Sequence, residues 1–562
     1  MNRAMKHHGP IAGIASHDRL IATAGYDNRI ILWDAASRAA IACASHDHLV
    51  NQCAFSTDGR WLVSASSDYS ARIWEVPTMR LKAVLPGHRD DVDMAVFAPD
   101  NRHIATCALD RCVRIFDLEG RCLAEMSGHT GNVLSLAWSA DGRELVSSSV
   151  DGTLRRWDAE RHVEVGIQDL GIRSDSVETA PDGRVYAGDD RGRIAILEAA
   201  QLHHVQAHRA GIKKIVLDAA RNILVSLSYD RGIAVWRVGG PHRLQEIARS
   251  TLPETIWARA AAVLDDGRIA TGTFGTTYAV FDPRTSLWDL QGVGAGSAIN
   301  AVLSVQERVY SVGDAGVVCV DDKPVSETGS LCNFLVSSRG RVFTGGHLGR
   351  LFDAQTGAVL HEHRSPLNCG VSFTKQGKSH LAIGTYTGEV LIFAQSIDGS
   401  IELMTELCVY EHAVKGLSCS DGLLFSVCAS TDIAWHRVED WTLARRVSKA
   451  HGRIANGCCP IGDRGFASVG RDRTLRLWRG DRSESYASPH TSSVKCIGVN
   501  ATHTAVLTGS YGGTVALFNL ADRRWSALQR PTAAGISSIT WDAAGGRFLA
   551  ASYDGNVYPV QP

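Results

Sequence analysis

The sequence has almost no net charge, because 58 Lys and Arg oppose 59 Asp and Glu and leave −1 at pH 7. A nucleic-acid partner is therefore not expected, since binding a phosphate backbone needs a strongly positive surface. No run of eighteen apolar residues occurs, so no membrane-spanning helix is predicted. The first residues also lack the apolar stretch of a signal peptide. These absences predict a cytoplasmic protein without a membrane partner.

The sequence also lacks the patterns typical of disulfide frameworks, metal sites and phosphate-binding loops. Its fourteen cysteines are scattered and form no CxxC pair, as expected in a reducing compartment. His361 and His363 share a strand face, but two ligands do not complete a zinc site. Lys378 lies in a Gly-Lys-Ser string within a predicted hairpin, whereas phosphate binding needs a following helix. We expect no cofactor and no metal, and no motif predicts an enzyme.

What the sequence does contain is a sequence motif that recurs about every forty residues. In one clear copy the apolar segments 133–138, 144–149 and 153–157 are short and rich in β-forming residues. Asp-Gly pairs separate these segments at hairpin spacing. Each copy ends on an apolar or aromatic residue: Trp33, Trp74, Phe116, Trp157, Trp236, Trp478 and Phe518 in the clear copies, and Leu197, Phe281, Val320, Phe352, Phe393, Trp435 and Val560 in the weaker ones.

A Gly-His pair opens the better copies, and a Trp-Asp pair such as Trp157-Asp158 closes them. With this period and signature the chain resembles the WD40-repeat family, in which each repeat is one four-stranded blade. The resemblance implies an all-β fold of two tandem seven-bladed WD40 β-propellers, with domains at 1–284 and 285–562. Residues 1–8 could seal the first ring beside repeat seven, and 285–291 the second beside repeat fourteen. Alternatively, the N-terminus crosses to the second ring.

In the WD40 family a His, a strand Ser or Thr, a turn Asp and a Trp form a hydrogen-bonded set that ties an outer loop to inner strands. The resemblance gives this role to His129, Ser147, Asp151 and Trp157 in repeat four. Because the set recurs from repeat to repeat, we interpret it as a structural latch rather than a catalytic triad. The equivalent sets are His46, Ser64, Asp68 and Trp74; His208, Ser226, Asp230 and Trp236; His451, Ser468, Asp472 and Trp478; and His88, Thr106 and Asp110 with Phe116.

Partners of WD40 propellers commonly dock on the face that carries the turn after the second strand. In the first ring the residue before this turn is Tyr26, Tyr229 or Phe274 on neighbouring repeats, so an aromatic arc is predicted. Tyrosine and arginine are favoured at interfaces because they bury a large area at low entropy cost. The alternative is that tyrosine merely suits a β-turn. The candidates in the second ring are Tyr386, Arg471, Tyr511 and Tyr553.

The second position of each inner strand should face the central channel. In the first ring these positions hold two acids and two bases, Asp93, Asp175, Lys213 and Arg259, beside Ala12, Asn51 and Leu134. Such a funnel could bind a small zwitterion or a peptide end, or support acid–base chemistry. The alternative is a channel that is only wet and mixed in charge. The second ring presents Asn300, Cys332, Cys369, Lys415, Ala455, Lys495 and Ser537.

The sequence therefore favours a non-catalytic scaffold or adaptor that presents two propeller faces to other proteins. An enzyme, or a binder of small molecules or peptides that uses the first funnel, is an alternative from a different class. A third hypothesis is a sensor subunit of a bacterial regulatory or defence system. The fold alone does not decide among them, because one fold hosts many functions.

Overall fold

The computed structural model describes residues 5–199, 201–239, 244–253, 255–294, 298–462 and 465–562. Within those ranges every regular element is a β-strand. The strands coincide with the short apolar segments, and tight turns join them, as the repeat predicts. The prediction of an all-β fold is confirmed. The described residues include no helix that is long and apolar enough to cross a membrane.

Contacts between strands divide the chain into two compact units, Met1–Ala295 and Gly296–Pro562. The first unit holds seven antiparallel four-stranded sheets, numbered in chain order, and in each sheet consecutive strands pair. Its strands are Ile11–His17 (β1), Leu20–Gly25 (β2), Arg29–Asp34 (β3) and Ala40–Ser45 (β4) in sheet one; Val50–Phe55 (β5), Trp61–Ser66 (β6), Ala71–Glu75 (β7) and Arg80–Leu85 (β8) in sheet two; Val92–Phe97 (β9), His103–Ala108 (β10), Cys112–Asp117 (β11) and Cys122–Ser127 (β12) in sheet three; Val133–Trp138 (β13), Glu144–Ser149 (β14), Thr153–Asp158 (β15) and Val163–Asp169 (β16) in sheet four; Ser174–Thr179 (β17), Val185–Asp189 (β18), Arg193–Glu198 (β19) and Gln201–Gln206 (β20) in sheet five; Ile212–Asp218 (β21), Ile223–Ser228 (β22), Gly232–Val238 (β23) and Leu244–Thr251 (β24) in sheet six; and Ile256–Val263 (β25), Ile269–Thr273 (β26), Ala279–Asp282 (β27) and Leu287–Asp289 (β28) in sheet seven.

The second unit has six four-stranded sheets and a last sheet of three strands. Its strands are Ile299–Val305 (β29), Arg308–Gly313 (β30), Val317–Val320 (β31) and Lys323–Glu327 (β32) in sheet eight; Cys332–Ser338 (β33), Arg341–Gly346 (β34), Arg350–Asp353 (β35) and Val359–Glu362 (β36) in sheet nine; Leu367–Lys375 (β37), Lys378–Thr385 (β38), Glu389–Gln395 (β39) and Ile401–Cys408 (β40) in sheet ten; Val414–Ser420 (β41), Leu423–Cys428 (β42), Ile433–Arg437 (β43) and Leu443–Val447 (β44) in sheet eleven; Ala455–Pro460 (β45), Gly465–Gly470 (β46), Thr474–Arg479 (β47) and Arg482–Ala487 (β48) in sheet twelve; Val494–Val499 (β49), Ala505–Ser510 (β50), Val515–Asn519 (β51) and Arg524–Trp525 (β52) in sheet thirteen; and Ile536–Asp542 (β53), Arg547–Ser552 (β54) and Val557–Val560 (β55) in sheet fourteen.

The first strand of each sheet is its inner strand, and the inner strands of each unit contact one another in a closed circuit. In the first unit the circuit runs through β1, β5, β9, β13, β17, β21 and β25 and returns to β1. Apolar packing of Ile14 and Trp33 against Ala260 and Tyr278 joins its first sheet to its seventh. In the second unit the circuit runs through β29, β33, β37, β41, β45, β49 and β53 and returns to β29.

The sealing strand predicted at 285–291 is wrong, and half of the one predicted at 1–8 lies outside the described residues. Leu287–Asp289 pairs with Ala279–Asp282 as the outer strand of sheet seven, not with sheet fourteen, which has three strands. The predicted boundary between 284 and 285 therefore falls inside the hairpin that joins β27 to β28. A short hairpin brings neighbouring segments together at little entropic cost, so the local pairing wins. Residues 5–8 form no strand; His7 N–H donates to the Thr276 carbonyl at 3.0 Å instead.

The predicted latch is present in sheet four. His129 Nδ1 lies 2.9 Å from Asp151 Oδ2, and its Nε2 lies 2.8 Å from Ser147 Oγ. Trp157 Nε1–H donates to the same Ser147 Oγ at 2.9 Å. Burial lowers the pKa of His129, which favours the neutral ring. Burial alone would raise the pKa of Asp151, but hydrogen bonds from Thr153 and His129 outweigh it and hold that pKa below its usual range.

The sets of His46, His208 and His451 have the same three contacts, the His88 set has the two histidine contacts but Phe116 in place of the tryptophan, and the structure adds one set that the sequence analysis missed. In sheet one His7 lies 2.7 Å from Thr23 Oγ1 and 2.9 Å from Asp27 Oδ1, and Trp33 Nε1–H donates to Thr23 at 2.8 Å. Among the described residues no strand precedes His7, whereas a strand precedes the histidine of each of the other sets. The predicted sets with matching contacts are those of His46, His88, His208 and His451.

We expect Asp151→Ala to destabilise sheet four, because His129 and the Thr130 N–H lose their acceptor. The free energy of unfolding should fall by about 1–3 kcal/mol, the usual cost of leaving a buried polar group without its partner. Denaturant titration of the variant and the parent measures this loss. Asp141→Ala is the matched control, because Asp141 is an exposed turn aspartate of the same sheet. Equal losses in the two variants would contradict a stabilising role for the latch.

Candidate functional site

Every inner strand begins with a β-bulge, in which a residue is left out of the pairing with the second strand. In sheet two, for example, Val50 and Gln52 pair with β6, and Asn51 between them is skipped. A bulge re-aims the side chain of the skipped residue. Here the skipped residues line an axial cavity at the centre of each unit. In sheet seven the irregular stretch is longer and includes Arg259.

The cavity of the first unit has a volume of about 110 Å³. The four charged residues predicted for the funnel, Asp93, Asp175, Lys213 and Arg259, all line it. The three uncharged predicted positions, Ala12, Asn51 and Leu134, line it as well. The structure therefore brings the whole predicted funnel together. Arg173, which precedes β17 and also lines the cavity, escaped the sequence analysis because it lies outside the repeat pattern.

Three of the charged residues that line this cavity belong to one ion-pair network, together with Asp190. Lys213 Nζ lies 2.7 Å from Asp175 and 2.7 Å from Asp190, and Arg173 Nε lies 2.6 Å from Asp175. Burial alone would raise the pKa of Asp175, but the charges of Arg173 and Lys213 hold it well below its usual range. Burial opposes the charge on Lys213, yet Asp175 and Asp190 raise its pKa above the ordinary value. The three ion pairs neutralise these groups within the wall.

Asp93 and Arg259 form a looser pair in the same cavity. Their charged atoms are 3.6 Å apart. Burial raises the pKa of Asp93, and the attraction of Arg259 offsets only part of that rise. Asp93 is therefore the carboxyl of this cavity that is most easily protonated.

The predicted aromatic arc of the first unit is a cluster centred on a residue that the sequence analysis missed. Trp257 lies between Tyr26 and Phe274, with ring centroids 5.1 and 5.7 Å away. Phe274 is only 5% exposed, so the prediction that it projects onto the surface is wrong. The ring of Trp257, itself buried, packs against it. The Lys213 ammonium lies 4.7 Å from the ring centroid of Tyr229.

The rim candidates of the second unit also follow the second strand of their sheets directly. Tyr511 and Tyr553 stack at a centroid distance of 6.5 Å and an angle of 17°. Tyr386 carries the Lys415 ammonium 5.5 Å from its ring centroid. Arg471 follows β46 and accepts a hydrogen bond from Ser493 on its carbonyl. All four residues are partly exposed.

The cavity of the second unit has a volume of about 210 Å³. Its skipped residues differ from the prediction at three positions, because in sheet ten the skipped residue is Asn368 and not Cys369, although Cys369 also lines the cavity. Cys332 and Ala455 are fully buried and do not line it; Asn333 and Asn456 take their places. An extra apolar residue before each of these strands shifted the predicted position by one. The other predicted residues, Asn300, Cys369, Lys415, Lys495 and Ser537, line the cavity.

One carboxyl at the rim of the second unit, that of Asp314, is buried and has a raised pKa. Asp314 is 8% exposed, and its Oδ2 is buried without a hydrogen-bond partner among the described residues. The Asn300 amide donates to its Oδ1 at 2.9 Å. Burial raises the pKa of Asp314 to about 7, against the smaller opposing effect of that hydrogen bond.

Comparison with known proteins identifies the repeat. The family described as "WD domain, G-beta repeat" matches residues 2–34, 41–75, 79–117, 120–158 and 484–519. The protein therefore contains WD40 repeats. The other four-stranded sheets have the same strand order as the matched ones, and sheet fourteen has three strands.

Relatives of this WD40-repeat chain are similar over part of their length only. The nuclear distribution protein nudF of Aspergillus niger is 28% identical over 163 residues, which cover 25% of this chain and 37% of that protein. Periodic tryptophan protein 2 of Arabidopsis thaliana is 26% identical over 195 residues, 33% of this chain and 21% of that protein. The chain thus spans less than two fifths of the relatives it matches.

The raised pKa of Asp314 predicts a pH-dependent stability. An ordinary carboxyl in the unfolded chain loses its proton near pH 4, whereas the folded protein holds it to about pH 7. The stabilising effect of this retained proton is complete below pH 4 and is lost as the pH rises through 7. Asp314→Asn should therefore be more stable than the parent at pH 8.5, by about 1–3 kcal/mol, with a smaller difference at pH 5.5. Denaturant titrations at both pH values test this, and a difference independent of pH would contradict it.

Proposed function

We propose that this protein is a non-catalytic scaffold that binds other proteins through the rims of two seven-bladed WD40 propellers. The closed circuits of inner strands support the two rings. Sheets one to seven would form the first propeller and sheets eight to fourteen the second, with the boundary beyond β28. Rigid rings of this kind hold the residues between their strands in a defined arrangement, which suits a docking face.

The observation that carries the scaffold proposal is the aromatic surface on each rim. Tyr26 and Tyr229 are partly exposed on the first unit, and Tyr511 and Tyr553 stack on the second. Neighbouring groups already hold these rings in place, so little side-chain entropy would be lost on binding. Pre-ordered aromatic side chains of this kind are typical anchors of protein interfaces.

The charge pairing in the first cavity favours docking over catalysis. Asp175 and Lys213, which could act as acid and base, are held by partners within hydrogen-bond distance. A group locked in this way is poorly suited to proton transfer, because releasing it breaks the pair. All fourteen cysteines are free, which supports the proposal of a reducing, cytoplasmic location.

A second candidate function rests on the looser pair in the same cavity. Asp93 and Arg259 lie 3.6 Å apart, and a small zwitterion could insert its ammonium and carboxylate groups between them. In that case Asp93→Asn would abolish ligand binding while the rim remained intact. Equilibrium binding of a panel of amino acids and short peptides, measured by calorimetry, tests this alternative.

We expect the double variant Tyr26→Ala and Tyr229→Ala to lose a protein partner that the parent captures. An aromatic hot spot contributes about 2 kcal/mol or more, so two together should weaken a specific complex about a hundredfold to a thousandfold. The measurement is quantitative affinity capture from native extract, followed by titration of the captured protein against the purified parent and variants.

The matched control is Leu123→Ala with Leu287→Ala, which removes two exposed apolar side chains from outer strands of the same unit. The control should retain the partner, and all variants should melt within a few degrees of the parent. Retention of every partner by the folded tyrosine variant would overturn the rim proposal. Loss of the partner in Asp93→Asn alone would favour the cavity instead.

A further inference from the structure

The rim of the second unit consists of the loops that precede the inner strands and the turns that follow the second strands. In sheet twelve the loop and the turn are bonded directly, since the Arg471 N–H donates to the Ile454 carbonyl at 2.8 Å. His451 from the same loop lies 3.1 Å from the Asp472 carboxylate in the turn. The loop and the turn of this sheet therefore form one surface.

Charged residues are distributed unevenly around this rim. In sheets twelve to fourteen its loops and turns contain five cations and two aspartates, within 448–454, 471–473, 488–493, 511–513, 526–535 and 553–556. The cations are Lys449, Arg453, Arg471, Arg473 and Arg530, and the aspartates are Asp472 and Asp554. Among the described residues of sheets eight to eleven, the corresponding loops and turns contain one arginine and three acids, Arg364 with Asp314, Glu411 and Asp432. We call the rim of sheets twelve to fourteen the basic sector.

The two aspartates of the basic sector accept hydrogen bonds from uncharged donors. The Gly452 N–H donates to Asp472 at 2.8 Å, and the Tyr558 hydroxyl donates to Asp554 at 2.8 Å. The count of five cations and two aspartates includes every charged residue of these segments. The excess of three positive charges therefore does not depend on which pairs form within the sector.

Two cations of the basic sector, Lys449 and Arg473, are exposed, and neither forms an ion pair with another described residue. Burial lowers the pKa of Arg453, and repulsion from Arg473 lowers it further, against the attraction of Asp472. The cations of the loop and of the turn are therefore close enough to repel one another.

The basic sector adjoins the stacked tyrosines. Arg473 Nη1–H donates to the Thr491 carbonyl in the loop of sheet thirteen at 3.3 Å, so its side chain joins the two sheets. Tyr511 and Tyr553, whose ring centroids are 6.5 Å apart, follow the second strands of sheets thirteen and fourteen. The Lys495 ammonium lies 5.9 Å from the Tyr511 centroid and adds a further positive charge. Cations and an aromatic surface thus lie side by side on this part of the rim.

We propose that the basic sector of the second unit binds a segment of a partner protein that is rich in aspartate and glutamate. This proposal rests on the scaffold function and names the chemistry of one partner. Carboxylates of such a segment gain charge-assisted contacts with Lys449 and Arg473, and an apolar side chain beside them packs on the stacked tyrosines. Complementary charge also speeds association and discriminates against partners of the wrong sign.

The extent of the basic sector favours a short acidic segment over a nucleic acid. A nucleic acid is held by many phosphate contacts along an extended positive surface. The described loops and turns of sheets eight to eleven contain more acids than bases, so a long polyanion that crossed the rim would meet charge of its own sign. A short segment avoids that repulsion because it stays over sheets twelve to fourteen.

The test measures, by fluorescence anisotropy, how the full-length parent binds a short labelled peptide of alternating glutamate and serine. We expect saturable binding that weakens as NaCl is added, since salt screens exposed charges. The double variant Lys449→Glu and Arg473→Glu should bind the peptide about tenfold more weakly or worse, because two attractions become repulsions. The same peptide with glutamine in place of glutamate should not bind.

The matched control is Arg479→Glu with Arg482→Glu. These two arginines are exposed, pair across β47 and β48 at the end of the sheet away from Arg473, and change the net charge by the same amount. The control should bind the acidic peptide like the parent, and thermal melts should show that all variants are folded.

Three results would overturn the proposal: no binding of the acidic peptide by the parent, equal weakening in the two double variants, or tighter binding of a uridine oligonucleotide than of the peptide. None of them decides the scaffold function, because partner capture through Tyr26 and Tyr229 of the first unit is measured separately.

Discussion

The bulge at the start of each inner strand is the constraint on which the interior of both units depends. A regular antiparallel ladder would alternate side chains strictly between the two faces of a sheet. Skipping one residue releases its side chain from that alternation and directs it to the axis. Because all fourteen inner strands share the irregularity, each sheet contributes a skipped residue to the axial wall of its unit.

The skipped position of the bulge holds different types of side chain in the two units. In the first unit the skipped residues include acids and bases that pair across neighbouring sheets, as Asp175 and Lys213 do. In the second unit most are amides that bond to the adjacent strand, and two lysines remain at the axis. The same skipped position is therefore compatible with ion pairs between sheets in one unit and with amide hydrogen bonds in the other.

The latch joins the second and third strands of several sheets to the loop before their inner strand, and its variants show how a repeat can lose its signature and keep its fold. Burying a histidine and an aspartate is costly unless each polar atom has a partner, and the serine or threonine supplies the shared one. Sheet three lacks the tryptophan and instead buries Arg114, which bonds to Asp110 at 2.8 Å. In sheet eleven the Tyr410 hydroxyl lies 2.9 Å from the Ser426 hydroxyl, so a tyrosine takes the place of the histidine. Such replacements explain why the second unit retains its sheets with so few matching repeats.

Much of the fold could be predicted because the residues that specify each strand and turn lie close together in the sequence. The spacing of short apolar segments and Asp-Gly turns determined the strands, and the recurrence of His, Ser, Asp and Trp determined the latch. The seven cavity positions of the first unit followed from counting along each inner strand. Cys332 and Ala455 were misplaced because the skipped residue depends on where pairing with the second strand begins. The tertiary structure alone decided that register, the burial of Phe274 under Trp257, and the outer strand of sheet seven. Each of these depends on contacts between segments distant from one another in the sequence, or on a choice between two competing pairings, and a linear pattern specifies neither.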